Sequence, residues 1–392
     1  MTEVLILGGK RTPMTEYNGV LSDLSANELG SIAAKAAMEH TGVAPEEIQH
    51  VVFGNALQTS GDAIYGARHV GLKAGVPIQV PALTVNRLCG SGIQALVEAA
   101  HLIQLNEAET VLAGGMESLS QAPHVIRGLR KGLRLGEGKL EDLLQVALLD
   151  TQCGFYMAQT SDNLSRQHQI SREDQDHYAV RSQKAAAAAL ESGKFKDEIT
   201  PVVLKTRKGD VIVDHDDHMR PETTFEGLCS LKPHFSKDGF VTAGNASGIV
   251  DGAAALVLVS SKQAERRNAK PLGRIVSWGY AGVDPSIMGI GPVPSTQEAL
   301  KKAGLKLDNM DLIEVNEAFA GQYLAVEKVL GLDRDRVNVN GGAIALGHPL
   351  GATGSRLVLT VLLELQRRKK KYGLATACIG GGQGIAMIVE AL

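Results

Sequence analysis

The strongest constraint on the fold of this chain is an internal echo. The run VVFGNA at 51–56 returns as IEVNEA at 313–318, and LCGSG at 88–92 returns as LGATG at 350–354, both displaced by 262 residues. LAGG at 112–115 has a looser counterpart in CIGG at 378–381. Three matches in one order predict a duplicated α/β unit, whose halves meet about a pseudo-twofold so that equivalent loops face one another. Short apolar strands (Val4–Leu7, Val51–Phe53, TVLAGGMES ending in a glycine pair, MDLIEV) alternate with helical patterns over 25–40, 93–104 and 295–304, which argues for α/β layers around a buried sheet. Ser25 and Glu28 form a capping box at the first helix. With 4% aromatic residues and 44 glycines, the core must be aliphatic and the backbones closely approached.

Between 119 and 249 the alternation stops. Positions 127–142 are charged and glycine-rich, Ser171 and Asp174 open a helix that Gly193 ends, and polar turns follow around HDDHMRPETT. This segment reads as an insertion, a lid or binding wall carried on the duplicated core. His215, Asp216, Asp217 and His218 match no common metal-ligand spacing and read as solvated turn residues.

The chemistry gathers at the repeated turns. Cys89 sits where a strand breaks into a helix. The free N–H groups and positive dipole end there predict a lowered thiol pKa, and Gly90 and Gly92 predict close access for a substrate. The alternative is a cysteine acting as a small buried hydrophobe. The repeat places Gly351 at the equivalent helix start, with His348 just before it, so a nucleophile and base pair follows. A loop histidine satisfied by its neighbours is the competing account. Cys378 ends a strand beside glycines whose N–H groups suit an oxyanion, and Asn316 leaves a strand where it equally suits an N-cap. GSGIQA at 90–95, with Glu109 downstream, also fits a dinucleotide fingerprint, but that motif calls for no cysteine.

Taken together, NRLCGSG, GGMES, TAGNASGIVDGA, NEAFA, NGGAIALGHPLGATG and CIGGGQG resemble the thiolases over the full length of the chain. The resemblance implies a five-layer αβαβα core with an inserted loop domain, divided as 1–118 with 250–268, 119–249, and 269–392. It implies that Cys89 carries the acyl group, that His348 takes its proton and that Cys378 is the second acid–base. Asn316 then holds a water at the enolate, and the N–H groups of Cys89 and Gly380 hold the oxyanion. For coenzyme A and the acyl chain it implies contacts from Arg220, Thr223, Ser247, Met157, Phe235, Ala243, Ala318, Phe319 and Met288. The implied reaction is acetyl transfer, 2 acetyl-CoA to acetoacetyl-CoA and CoA, with thiolysis of longer 3-ketoacyl-CoA as the near alternative. Tyr156, in GFYM, stands where acetoacetyl-CoA thiolases often have histidine. A non-catalytic CoA-binding scaffold would lack Cys89, His348 or Cys378, and all three are present.

The exchange is nearly thermoneutral, so no metal and no cofactor is expected beyond coenzyme A as substrate and product. Formal charge is −3, and the run RRKKK at 367–371 lies at a helix end, which argues against nucleic acid as a partner. No apolar run is long enough for a membrane span, and the four scattered cysteines suit a reducing compartment; a cytoplasmic location is expected. The resemblance adds a homotetramer.

Overall fold

In the computed structural model, which describes residues 2–392, the first strand, β1 (Val4–Arg11), lies at the middle of a ten-stranded sheet. The first half continues with α1 (Ala26–Thr41), β2 (His50–Gly54), α2 (Gly66–Lys73), β3 (Ala82–Val85), α3 (Ser91–Gln104) and β4 (Thr110–Glu117). The insertion, carrying α4 (Met157–His168) and α5 (Arg172–Glu191), then intervenes before β5 (Val250–Ser260) closes that half. The second half runs β6 (Gly273–Gly282), α6 (Pro292–Ala303), β7 (Leu312–Val315), α7 (Ala320–Leu330), α8 (Leu350–Arg368), β8 (Tyr372–Ile379) and β9 (Gln383–Ala391). α1 starts as its sequence predicts: the Ser25 hydroxyl accepts from Glu28 N–H at 3.2 Å and the Glu28 carboxylate accepts from Ser25 N–H at 2.8 Å.

Nine of the strands run in the order β7-β8-β9-β6-β1-β5-β4-β2-β3, two mirrored series, and the tenth, Thr15–Glu16, pairs with β5 off this path. β2 is parallel to β4 and β7 to β8; β5 is antiparallel to β4 and β9 to β8. The series join at β1 and β6 through only two residue pairs, Leu5–Arg274 and Ile6–Gly273. Three apolar cores separate the layers. Leu29, Ala33 and Met38 of α1 pack on one outer face; Val293, Tyr323 and Leu324 of α6 and α7 pack on the other. Ile93, Leu96, Leu357 and Leu362 of α3 and α8 fill the centre. Each buried Leu, Ile, Val or Met among them contributes roughly 1.5–3 kcal/mol, so the duplication places three apolar interfaces where one sheet alone has two faces. This is the layered helix–sheet–helix–sheet–helix arrangement.

The two central helices touch at equivalent positions. A Cβ on Gly92 would lie 2.5 Å from Ser355 N, and one on Gly354 would lie 2.3 Å from Ile93 N. Gly90 likewise faces Ile379 and Ile385. These glycines therefore serve helix packing and not substrate access, which corrects the expectation from sequence. The TVLAGGMES strand also does not end at its glycines: β4 runs on to Glu117, and Gly115 is needed because a Cβ there would meet Gly351 O at 1.8 Å.

Of the polar turn HDDH, His215 is exposed as expected and Asp217 and His218 are half-buried, but Asp216 is not solvated. Asp216 is buried and accepts a bidentate pair from the Arg11 guanidinium at 2.7 and 2.8 Å, plus Met14 N–H at 2.7 Å. Arg11 also donates to Glu198 at 2.7 Å, so one cation from β1 clamps two points of the insertion onto the core. Charge patterns hide this because the partner lies 205 residues away. At the other end, the RRKKK run behaves as a helix terminus: Arg367 and Arg368 pair with Glu364, Lys369 adopts the left-handed cap and Lys371 faces Glu390.

Candidate active site

Cys89 lies in a single 3-10 turn, Leu88–Gly90, that runs directly into α3. The turn is strained: Leu88 takes φ +46°, a left-handed conformation that costs a branched residue of order 1–3 kcal/mol. It is held by Asn86, whose side-chain oxygen accepts Leu88 N–H at 2.9 Å, and by Ser91, which accepts from Arg87 N–H at 2.8 Å and donates to Leu88 O at 2.7 Å. The thiol is thereby turned towards the second half, where the N–H of Gly380 and its own N–H point at the sulfur. These donors favour a thiolate, but burial and the Glu117 carboxylate oppose it, and the thiol is pushed up to about 11. The dipole-lowered pKa expected from sequence does not hold, because desolvation outweighs the donors at the helix end.

His348 lines the same cavity as Cys89. Its main-chain N–H is held by Gly248 O at 2.9 Å, and its ring is buried. Nδ1 lies 2.6 Å from Thr353 Oγ1, and the Thr353 hydroxyl donates to Pro349 O at 3.0 Å. That hydroxyl has one proton and spends it on the carbonyl, so Nδ1 carries hydrogen and donates to Thr353. Nε2 is left as the acceptor, 3.3 Å from the Asn316 Nδ2 amide. Burial and the Arg356 charge push the imidazole down to about 3, so it is neutral at working pH. The Asn316 Oδ1 is buried with no protein partner, which leaves an acceptor open for a water or substrate proton.

Cys378, fully buried at the end of β8, packs with Met157, Met288, Ala318 and Phe319. Burial and the neighbouring Cys89 raise its thiol far above the ordinary range. Those four residues, with Cys89, His348, Ser247 and Phe235, line one apolar cavity of about 160 Å³. Its outer continuation, about 440 Å³, is walled by Tyr17, Tyr156, Phe235, Ala243 and Phe319. A separate recess of about 230 Å³ lies on the other side of Cys89, between Leu57, Leu88, Leu148, Met157, Leu350 and Gly380.

The structure thus brings Cys89, His348, Cys378, Asn316, Gly380, Ser247, Met157, Phe235, Ala318, Phe319, Met288 and Ala243 to one connected site. Arg220 and Thr223 are not on its walls. Arg220 is exposed, ion-paired with Glu16, and Thr223 donates its hydroxyl to Arg220 O at 2.7 Å. Sequence reasoning missed Thr353, although its place five residues after His348 in GHPLGAT is visible, and it gave no role to the glutamate of GGMES, Glu117. It also missed the wall residues Leu144 and Leu148, which come from the charged insertion and carry no motif.

Two family models match the chain: "Thiolase, N-terminal domain" over residues 4–262 and "Thiolase, C-terminal domain" over 269–391. The chain is 54% identical over 388 residues to the mitochondrial 3-ketoacyl-CoA thiolase of Homo sapiens, covering 99% of this chain and 98% of that protein. It is 46% identical over 392 residues to the acetyl-CoA acetyltransferase of Shinella zoogloeoides, covering both chains fully. The crystal structure of the human mitochondrial enzyme superposes with a TM-score of 0.98 at 53% identity, over 100% of this chain and 99% of that one. The Bacillus anthracis acetyl-CoA acetyltransferase structure gives the same score at 44% identity, with the same coverage. With both family models together spanning nearly every residue and a relative 54% identical over nearly the whole chain, the chain belongs to the thiolase family of acyltransferases.

Proposed function

We propose that the protein interconverts 3-ketoacyl-CoA plus CoA with two acyl-CoA molecules through an acyl group held on Cys89. The observation that carries this reading is that Cys89 from the first half and His348 from the second line one apolar cavity whose wall residues Met157, Met288, Ala318 and Phe319 pack on the buried Cys378. Cys89 attacks the thioester carbonyl as His348 Nε2 accepts its proton, and the N–H groups of Cys89 and Gly380 hold the developing oxyanion. In the condensing direction Cys378 removes a proton from the acetyl-CoA methyl group. His348 and a water on Asn316 hold the enolate oxygen, and the enolate carbon attacks acyl-Cys89. Every step is a proton or acyl transfer, so the chemistry calls for coenzyme A as substrate and product and for no metal or redox cofactor.

The four-carbon reaction, 2 acetyl-CoA to acetoacetyl-CoA and CoA, lies within this chemistry. Action on longer 3-ketoacyl-CoA is favoured by the recess beyond Cys89, whose leucine and methionine walls suit an acyl tail. The test is thiolysis of acetoacetyl-, 3-ketohexanoyl- and 3-ketodecanoyl-CoA, with intact mass of the protein quenched in each reaction. Comparable or better rates on the long chains establish the broad range; a strong four-carbon preference with an acetyl adduct on Cys89 restricts the enzyme to acetoacetyl-CoA. Absence of any adduct refutes covalent acyl transfer.

Arg220 and Thr223 are proposed as CoA contacts that form only when Arg220 leaves Glu16. The divisions 1–118 with 250–268, 119–249 and 269–392 are proposed as core half, loop domain and core half. A homotetramer is proposed as the working assembly, to be checked by light scattering. Four free cysteines support a reducing, cytoplasmic location.

A further inference from the structure

α8 and β7 carry the two side chains that bond to the His348 ring, and one buried contact ties helix to strand. Thr353, which receives His348 Nδ1–H, lies one helical turn before Arg356 on the same face of α8. Asn316 continues the β7 ladder, its N–H bonded to Thr376 O at 2.9 Å, so it shares a face with Glu314 two residues earlier. Arg356 Nη1 donates to Glu314 Oε2 at 3.1 Å. With the contacts of His348 to Thr353 at 2.6 Å and to Asn316 at 3.3 Å, this bond closes a ring that runs through helix, strand and imidazole.

As a device for stability the pair is a poor one. Both side chains are buried, and Arg356 Nε and Nη2 have no protein partner. Burial pushes the Glu314 carboxyl up to about 8 against the attraction of Arg356. Apolar residues of similar volume often stabilise a fold as well as such a pair or better. The first half of the repeat shows that the layered plan does not need it. Displaced by 262 residues stand Val52, fully buried in β2, and Gln94, whose amide bonds to Arg87 and Glu98 of its own segment. The same displacement sets Gly54 against Asn316 and Asn86 against His348. The pair therefore occurs only in the half where a strand-end amide has to meet an imidazole.

We propose that Glu314 and Arg356 are positioning residues for Asn316: their bond fixes the end of β7 against α8, so that the Asn316 amide stays at His348 Nε2. The inference rests on the reading in which a water on Asn316 holds the enolate oxygen. His348 has two further holds, Thr353 on its ring and Gly248 O on its main-chain N–H. The Asn316 side chain has His348 as its one hydrogen-bond partner among the described residues. Loosening the pair therefore impairs carbon–carbon bond formation, which needs the enolate held, more than acyl transfer to Cys89, which needs only His348 and the oxyanion donors.

The test compares two rates in each protein: acetylation of Cys89 by acetyl-CoA, from intact mass at timed quenches, and formation of acetoacetyl-CoA. The double replacement Glu314→Val with Arg356→Met is expected to unfold at or above the wild-type temperature and to acetylate Cys89 within a few-fold of the wild type. Its condensation should be slower by about tenfold or more, as misplacement of a positioned group is. Glu314→Asp, which keeps the carboxylate but is one methylene short, should show the same imbalance in smaller measure. A folded double variant that condenses at the wild-type rate overturns the proposal. So does one that loses both rates in equal proportion, since general loosening moves the two together. Should the double variant fail to fold, Glu314→Asp decides: an unchanged ratio of the two rates overturns the proposal. Asn316→Ala is measured alongside. Wild-type condensation there overturns the water-holding reading itself, whereas its loss there with an unchanged ratio in the pair variants overturns the role of the pair alone.

Discussion

Replacing Thr353 with valine preserves the volume of a fully buried side chain and removes only the hydroxyl that receives His348 Nδ1–H at 2.6 Å. Two outcomes are open to the imidazole. It keeps the proton on Nδ1 as an unsatisfied buried donor, costing roughly 1–3 kcal/mol, or it moves the proton to Nε2 and ceases to be a base towards Cys89. Either way the active tautomer is disfavoured by that amount. At about 1.4 kcal/mol per tenfold, kcat/KM for CoA-dependent cleavage of acetoacetyl-CoA should fall roughly 5- to 150-fold. Thr353→Ser retains the oxygen and should stay within a few-fold of the wild type. The assay is initial thiolysis rate, with thermal unfolding recorded to show that both variants fold. Wild-type kcat/KM in folded Thr353→Val would refute the argument, because the tautomer would then be fixed by something other than this hydroxyl.

Cys378→Ala should still form an acyl adduct on Cys89 by intact mass while losing carbon–carbon bond formation; condensation of acetyl-CoA at a normal rate would remove Cys378 from its assigned role. Asp216→Ala leaves the buried Arg11 charge short of its bidentate partner and should destabilise the fold by about 3–5 kcal/mol, read as a urea midpoint shift; a loss below about 1 kcal/mol would show that Glu198 alone satisfies the guanidinium. The His348 imidazole is held down to about 3 in the folded protein, against 6.5 when unfolded. Below pH 6.5 the unfolded chain binds a proton that the folded one refuses, so stability falls as pH drops through that window. His348→Asn should therefore lose less unfolding temperature between pH 7 and pH 5 than the wild type, and an identical loss in both would contradict the buried neutral imidazole.

The duplication was legible because it is written in short, local patterns. Apolar strands, glycine turns and the capping box at Ser25 depend on neighbours a few residues apart, and the two halves repeat them at a fixed distance. The residues that carry the chemistry were legible for the same reason: Cys89, His348, Asn316 and Cys378 sit at the strand ends and helix starts of the repeat, where backbone donors are free. Cys89 and His348 line one cavity, with Asn316 bonded to His348 and Cys378 packed on the wall residues, as a pseudo-twofold predicts.

What sequence alone determined, then, was the layered α/β plan and which candidate groups stand at its repeated turns. Tertiary structure decided the rest, since each remaining property depends on contacts between segments distant in the chain. Burial reversed the expected acidity of Cys89, because desolvation is set by the walls of Leu57, Met157 and Leu350 and not by the local turn. Gly92 and Gly354 proved to be the crossing point of two helices, and Asp216 became the anchor of Arg11 rather than a solvated turn residue. Glu117, silent in its motif, acquired four donors from two distant segments, 55–57 and the start of α8. Local pattern fixes which groups are presented at a strand or helix end; only long-range packing fixes the dielectric and the partners that set what those groups do.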